Sequence, residues 1–227
     1  MKVNREIPVR QLRLLIFDLD GTLVDSRQDL GNSVNAMLRH FDRHELPLDV
    51  IAGYIGDGAP MLVRRALGDP KDEHFVHVAL QFFLDYYRKH KLDNTYVYEG
   101  VLDSLKLLNE GTLPRKMAVL SNKPVGPSRA IVDALGLSEF FFQIYGGNSF
   151  ETKKPDPLGV QKLLKEAHCK PEEAVIIGDS DVDVLTARNA DIYSVGCSYG
   201  LAPHSLETVA PDILVRTPKE WGKALKS

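Results

Sequence analysis

Residues 14–26 read LLIFDLDGTLVDS, and this stretch decides the fold that we predict for the chain. Four apolar residues lead directly into two aspartates one residue apart, Asp18 and Asp20. Side chains two apart in an extended strand point to the same side, so both carboxylates stand at the end of a buried strand. Open α/β sheets bind ligands at the carboxyl ends of their strands. Two carboxylates placed there repel each other unless one binds a proton or a cation neutralises them.

A divalent cation with oxygen ligands fits this pair, and magnesium is the usual ion where phosphate is also bound. An EF-hand calcium loop is an alternative, but it requires glycine at its sixth position and glutamate at its twelfth. Counted from Asp18, these positions hold Leu23 and Asp29. The segment is therefore no EF-hand, whereas a plain Asp-Gly turn without chemistry stays open on this evidence alone.

The composition excludes several classes of protein. The chain has 227 residues, of which 44% are hydrophobic and 26% charged, and its formal net charge is −3. We expect no nucleic-acid partner and no membrane partner, because the chain has no basic field and no long apolar run. Two cysteines without a CxxC motif predict neither a disulfide framework nor a structural zinc site. The charged N-terminal segment is unlike a signal peptide, so we expect a cytoplasmic protein, either a monomer or a homodimer.

Further short apolar runs without alternation are typical of strands buried on both faces of a parallel sheet. Helical patterns separate them, and Gly111 is expected to end one of these helices. This rhythm predicts an α/β fold with a doubly wound, Rossmann-like parallel sheet. The strand candidates are residues 12–17, 116–121, 141–147, 174–179 and 192–196.

One interval interrupts the alternation of strands and helices. Between Arg27 and Tyr98 we find helical periodicity and no convincing strand. A loop of this length is uncommon in a compact domain, so these residues are expected to fold by themselves. We predict an all-helical cap domain over residues 26–98, inserted after the first strand. The α/β core then comprises residues 1–25 and 99–227.

A second acidic cluster lies in IIGDSDVD, residues 176–183. Its apolar run delivers Asp179 to a strand end, and Asp183 follows one helical turn later, where it can support a metal ion from the second coordination layer. Two other motifs lie between the acidic clusters. Ser121 and Asn122 follow a strand and can hold a phosphoryl oxygen without adding charge. One lysine of TKKPDP, residues 152–157, could reach inward, although a solvated surface lysine stays an open interpretation.

In this order, the motifs FDLDGT, LSNK, KKPDP and IGDSDVD resemble the four motifs of the haloacid-dehalogenase-like phosphohydrolases. The resemblance extends from about Leu12 to Leu214 and includes a helical cap after the first motif. It implies a phosphatase, because family members that dehalogenate carbon lack the second aspartate of the first motif.

The resemblance also implies roles for individual residues. Asp18 resembles the nucleophile that attacks phosphorus, and Asp20 resembles the general acid/base. Ser121 corresponds to the hydroxyl that orients the phosphoryl group, with Asn122 beside it. Lys154 corresponds to the lysine that steadies the nucleophile and the transferring phosphoryl group.

The same resemblance implies a Mg²⁺ cofactor. Its ligands would be the carboxylates of Asp18 and Asp179 and the main-chain carbonyl of Asp20, with Asp183 supporting the metal shell. Thr22 would belong to the residues that bind the phosphate.

In the cap, residues 54–67 (YIGDGAPMLVRRAL) resemble a segment of phosphoglycolate phosphatases. The loop Gly56, Asp57 and Gly58 opens a helix whose amide groups suit an anion, and Arg65 falls on an arginine position of that subgroup. A capped turn and a solvated arginine are the alternatives at these two places.

We therefore expect a Mg²⁺-dependent phosphatase that hydrolyses a small phosphorylated metabolite, with 2-phosphoglycolate as the first candidate, through an aspartyl-phosphate. Pyrophosphate, a nucleoside monophosphate or a sugar phosphate would need the same chemistry, and a sugar phosphomutase is a further alternative. A non-catalytic phosphate binder is disfavoured, because the set of catalytic residue types is intact.

Overall fold

The computed structural model describes residues 1–110 and 115–225, so Gly111, the expected helix end, lies outside the described residues. Strands and helices alternate over most of this length, as the apolar runs predict. The strands are β1 (Lys2–Val3), β2 (Leu14–Phe17), β3 (Val24–Asp25), β4 (Tyr96–Val97), β5 (Lys116–Leu120), β6 (Gln143–Tyr145), β7 (Ala174–Gly178), β8 (Tyr193–Cys197) and β9 (Ile213–Val215).

The α-helices lie between these strands, and short 3₁₀ turns occur at Val9–Gln11, Ser138–Phe140 and Pro171–Glu173. Within the described residues, no helix is both long and apolar enough to cross a membrane. The helices are α1 (Arg27–His40), α2 (Leu48–Ala52), α3 (Ala59–Ala66), α4 (Glu73–His90), α5 (Val101–Asn109), α6 (Val125–Ala134), α7 (Leu158–Ala167), α8 (Asp181–Asn189), α9 (Ser205–Thr208) and α10 (Glu220–Leu225).

A seven-stranded sheet with the order β1-β9-β8-β7-β2-β5-β6 forms the centre of the core. All its neighbouring strands are parallel except the edge strand β1, which pairs antiparallel with β9. Strand β2 lies between β5 and β7 and is buried at every position. The predicted doubly wound α/β fold is therefore confirmed.

Both faces of the sheet are covered, which explains why its strands do not alternate in hydrophobicity. Leu15 and Phe17 point into one buried apolar cluster, where the fully buried Trp221 of α10 packs against Phe17 with ring centroids 5.3 Å apart. Leu14 and Ile16 point into a second cluster on the opposite face, below α7 and α8. The strand that carries the first acidic motif is thus held on both sides.

Helices α1 to α4 form a separate apolar cluster, built around residues such as Val34, Met37 and Phe83. Strands β3 and β4 stand at the entry to and exit from this region, and they pair antiparallel through Val24 and Val97. The expectation of no strand before Tyr98 was therefore wrong for β4, since a strand of two residues is too short to produce a periodic pattern.

A buried aspartate reinforces the junction between β3 and β4. Asp29, in the first turn of α1, accepts hydrogen bonds from the main-chain N–H groups of Asn94 and Thr95 and from both of their side chains, at 2.7 to 3.0 Å. The carboxylate thus ties the first turn of the helical region to the segment that leaves it. Sequence patterning did not reveal this contact, because its two sides lie 65 residues apart.

Candidate active site

The carboxyl ends of three neighbouring strands bring the predicted site residues together. Phe17 of β2 pairs with Val119 of β5 and with Ile177 of β7. Because the strands are parallel and in register, the residues that follow them arrive at one edge of the sheet. Asp18, Ser121 and Asp179 all lie at this edge, and Lys154 reaches it from the loop before α7.

Three buried carboxylates form a compact cluster at this edge. Asp18, Asp179 and Asp183 each offer one oxygen atom, and these atoms lie within 4.8 Å of one another. Asp179 is fixed by the main-chain N–H groups of Leu201 and Ala202, which donate to its Oδ2 at 2.6 and 3.1 Å. This leaves its other oxygen available to the cluster.

Glycine is required next to this cluster. Gly21 has a φ of +85°, and a Cβ placed on it would stand 2.1 Å from Oδ2 of Asp179. A side chain at this position would therefore be strained and would displace the carboxylate. The glycine of FDLDGT thus allows the first acidic motif to approach the second.

The cluster is electrostatically unfavourable without a cation. Burial raises the pKa of Asp18 to about 6, against the opposing effect of Lys154 and with a further increase from Asp183. Burial, together with the charges of Asp18 and Asp183, also raises the pKa of Asp179 well above its usual value. Oδ1 of Asp18 is buried, and the Lys154 ammonium group lies 3.0 Å from it. A donor set of three clustered carboxylate oxygens suits a hard divalent cation such as Mg²⁺.

Lys154 is the cation that lies against this cluster. Its buried ammonium group stands 3.0 Å from Oδ1 of Asp18 and donates a 2.5 Å hydrogen bond to Oδ1 of Asp183. Although burial works against its charge, these two carboxylates raise the pKa of Lys154 above its usual value. The second oxygen of Asp183 accepts from the main-chain N–H and the hydroxyl of Ser180, at 3.2 and 2.8 Å. Asp183 therefore positions Lys154 as well as belonging to the acidic cluster.

Asp20 does not share this lysine. It accepts hydrogen bonds from the ammonium group of Lys123 at 2.8 and 3.0 Å and from the Ser26 hydroxyl at 2.6 Å. The two aspartates of the first motif thus have different cationic partners. The sequence motifs indicate no role for Lys123, although it follows the Ser121-Asn122 pair directly at a strand end.

The polar residues expected to bind phosphate have different surroundings. Ser121 is buried, lines the central cavity and accepts from the Lys123 main-chain N–H at 3.3 Å. The side-chain amide of Asn122 donates to the carbonyl oxygens of Gly56 and Lys154, both at 3.0 Å, so it links the helical region to the core. The Thr22 hydroxyl is buried and has no hydrogen-bond partner among the described residues.

A cavity of about 640 Å³, which includes space open to solvent, lies between the sheet edge and helices α1, α3 and α4. Its walls toward these helices are mostly apolar, while its floor carries Asp18 and Asp20. Burial raises the pKa of Tyr87 in α4 to about 12, so its hydroxyl is protonated at neutral pH. The cavity is lined by Asp18, Asp20, Leu30, Ile55, Gly56, Gly58, Ala59, Leu62, Phe83, Leu84, Tyr87, Ser121, Asn122, Lys123, Pro124 and Pro127.

The glycine loop before α3 contributes to this cavity through Gly56 and Gly58. Asp57 pairs with Arg65 at 2.6 Å, so the arginine is engaged within its own region. The exposed Lys153 donates to the carbonyl oxygen of Asp57 at 2.6 Å. The structure thus brings the loop to the site, whereas it directs Arg65 toward Asp57.

Comparison with known proteins gives a consistent family. A family model described as haloacid dehalogenase-like hydrolase matches residues 15–197. This range includes all four motifs and most of the chain. The chain therefore belongs to the haloacid dehalogenase-like hydrolases.

Individual relatives are similar over most of the chain. A phosphoglycolate phosphatase of Psychrobacter arcticus is 39% identical over 196 residues, covering 83% of this chain and 84% of that protein. A phosphoglycolate phosphatase of Chromobacterium violaceum is 34% identical over 223 residues, covering 96% of this chain and 99% of that protein. The crystal structure of a predicted phosphoglycolate phosphatase from Haemophilus somnus 129PT matches this chain with a TM-score of 0.87 at 28% identity. The match covers 94% of this chain and 97% of that one. The chain is thus a phosphoric monoester hydrolase similar to phosphoglycolate phosphatases.

Proposed function

We propose that this enzyme hydrolyses 2-phosphoglycolate with Mg²⁺ as its cofactor and a phosphorylated Asp18 as its intermediate. The observation that carries the proposal is the buried carboxylate of Asp18, which contacts Lys154 and clusters with Asp179 and Asp183 next to the cavity. The substrate is suggested by the names of the relatives.

In the first step, a carboxylate oxygen of Asp18 forms a bond to phosphorus while the bond from phosphorus to the alcohol oxygen breaks. Asp20 gives a proton to that departing oxygen. In the second step, Asp20 takes a proton from a water molecule, which attacks phosphorus and releases phosphate from Asp18.

Charge neutralisation is the main requirement of phosphoryl transfer. Lys154 supplies one positive charge beside Asp18, and Asp183 holds it there. The Asp18 and Asp179 carboxylates and the Asp20 carbonyl would hold Mg²⁺, which would supply further positive charge for the phosphoryl oxygens. Ser121 and Asn122 orient the phosphoryl group, and Thr22 belongs to the residues that bind the phosphate.

We further propose that residues 26–98 act as a cap on a core of residues 1–25 and 99–227. The paired strands β3 and β4 are suited to be the hinge, because both connections between the two parts pass through them. The loop of Gly56, Asp57 and Gly58 already contacts Asn122 and Lys153 of the core, so opening at the hinge would admit the substrate and closing again would exclude water. Arg65 would then act by holding Asp57.

A sugar phosphate is a second candidate substrate for the same chemistry, because the charges around Asp18 would serve the phosphoryl group of any phosphomonoester. A panel of small phosphoesters, assayed by phosphate release and ranked by kcat/KM, distinguishes the candidates.

For the proposed function, 2-phosphoglycolate ranks first in this panel and hydrolysis stops after treatment with EDTA and resumes with Mg²⁺. A higher kcat/KM for a sugar phosphate would show that the sugar phosphate, and not 2-phosphoglycolate, is the preferred substrate. Turnover that persists in EDTA would contradict the metal requirement.

A further inference from the structure

A buried lysine faces the cavity on the far side of Asp20. Lys123 has a side chain that is 5% exposed, and its ammonium group contacts both carboxylate oxygens of Asp20. Among the described residues that line the cavity, Lys123 is the single cationic one. An ammonium group has three N–H donors, so the two hydrogen bonds to Asp20 leave one donor on the side of Tyr87 and the cavity.

A second donor, on α4, lies next to this lysine. The Tyr87 ring of α4 stands 4.5 Å from the Lys123 ammonium group. Tyr87 is 3% exposed, yet its hydroxyl has no hydrogen-bond partner among the described residues. A buried hydroxyl without a partner is costly, and one that lines a cavity beside an ammonium group indicates a ligand that accepts hydrogen bonds.

The position of these donors identifies which part of a substrate they meet. Asp20 is proposed to protonate the departing alcohol oxygen, which must then lie about 3 Å from its carboxylate. Lys123 contacts the same carboxylate, so its ammonium group lies on the alcohol side of the substrate and away from phosphorus. In 2-phosphoglycolate, the carboxylate is joined to the departing oxygen by a single CH₂ group.

We infer that Lys123 and Tyr87 bind an anionic group on the alcohol part of the substrate and thereby select phosphomonoesters that carry a carboxylate. The inference rests on the proposed function and adds the residues that would determine its specificity. The surrounding walls are apolar, so an unpaired carboxylate would be strongly disfavoured there. Pairing with Lys123 would offset the free-energy cost of removing water from the substrate carboxylate.

Matched substrate pairs test this inference. 2-Phosphoglycolate and 2-hydroxyethyl phosphate differ by a carboxylate in place of CH₂OH, and so do 3-phosphoglycerate and glycerol 1-phosphate. The measured quantity is the ratio of kcat/KM for the charged ester to kcat/KM for its neutral partner. We expect a ratio of about 100 for the preferred pair in the wild-type enzyme, the size of a hydrogen-bonded charge contact.

Lys123→Met is expected to reduce this ratio about 100-fold, mainly through a higher KM for the charged ester. Tyr87→Phe keeps the ring and removes the hydroxyl, so we expect a smaller reduction of about 5-fold. Lys162→Met, which changes an exposed lysine of α7, is the matched control and should keep the wild-type ratio.

A lysine that only positions Asp20 would behave differently. Its loss would lower kcat for both members of a pair alike, and an unchanged ratio in Lys123→Met would overturn the inference. Should that variant be insoluble, an unchanged ratio in Tyr87→Phe overturns it instead. A wild-type enzyme without preference for either charged ester also overturns it. Failure of 2-phosphoglycolate alone, with 3-phosphoglycerate preferred over its partner, contradicts the proposed substrate and supports the inference.

Discussion

Two lysine–carboxylate contacts lie within the same site and differ in what surrounds them. Lys154 stands against Asp18 and Asp183 in a crowded acidic cluster built from the core. Lys123 pairs with Asp20 beneath the apolar, cap-side wall of the cavity and meets one aromatic ring of α4. The first contact belongs to a region where charge must be neutralised for any phosphate ester. The second faces the part of a substrate that varies from one ester to another.

The largest loss of activity is expected from substituting Asp18, the nucleophile that Lys154 contacts. Asp18→Asn removes the attacking oxygen but keeps the shape of the side chain, so kcat should fall by about 10⁴-fold or more for every substrate. Phosphate release measures the loss, and circular dichroism checks the fold. Asp181→Asn, in the same helix turn as Asp183, is the control and should remain active. Comparable activity in Asp18→Asn would rule out Asp18 as the nucleophile.

Asp179→Asn tests whether the acidic cluster is held together by a cation. Turnover should fall by about 10²- to 10³-fold because one ligand of the proposed metal is lost. In the absence of Mg²⁺, the variant should nevertheless unfold at a higher temperature than the wild-type enzyme. The raised pKa of Asp179 means that its ionised form destabilises the metal-free fold, so removing the charge should raise the melting temperature of the metal-free protein.

The sign of this stability change depends on pH. A carboxyl group whose pKa is raised on folding favours the folded state at low pH, and this contribution is lost as the pH rises. The gain from Asp179→Asn should therefore shrink as the solution is acidified. A metal-free variant that melts below the wild-type enzyme at neutral pH would show that Asp179 stabilises the fold without a cation.

Removing each lysine in turn compares the two contacts directly. Lys154→Met leaves two buried carboxylates without their cation, and its free energy of unfolding should fall by about 3–5 kcal/mol in the absence of Mg²⁺. Lys123→Met leaves Asp20 with its hydrogen bond from Ser26, so a smaller loss of about 1–3 kcal/mol is expected. Urea unfolding monitored by fluorescence measures both. Equal losses would remove the distinction between the crowded and the cavity-facing contact.

The smallest expected effect is a shift of the acidic limb of the pH profile. Asp18 must be ionised to attack, and its pKa is raised to about 6, so kcat/KM should decline about tenfold per pH unit below that value at low Mg²⁺. Because Mg²⁺ favours the ionised carboxylate, saturating Mg²⁺ should move this limb to lower pH. Profiles from pH 4.5 to 8 at two Mg²⁺ concentrations and constant ionic strength test the shift, and a limb that does not respond to Mg²⁺ contradicts it.

Patterns along the chain were sufficient to predict the core. Apolar runs that end in aspartates are local features, and parallel strands in register carry their ends to one edge of the sheet, so the meeting of Asp18 with Asp179 follows from the strand assignment. The helical interval was also predictable, because the spacing of apolar residues along a helix is a local feature. Strand β4 was missed because two residues carry no period, and the ties from Asp29 to Asn94 and Thr95 join residues 65 or 66 positions apart.

The pairing of charges could be decided only by packing. The sequence predicts that two adjacent aspartates need positive charge, because like charges at a strand end repel. The family resemblance places Lys154 beside Asp18. It does not say that Asp20 would meet Lys123, nor that Tyr87 of α4 would cover this second lysine. Those contacts depend on loop paths and on how the helices lie over the sheet edge. Local motifs were therefore sufficient to predict the catalytic chemistry. The shape and charge of the cavity that would select a substrate depend on contacts between residues distant in sequence.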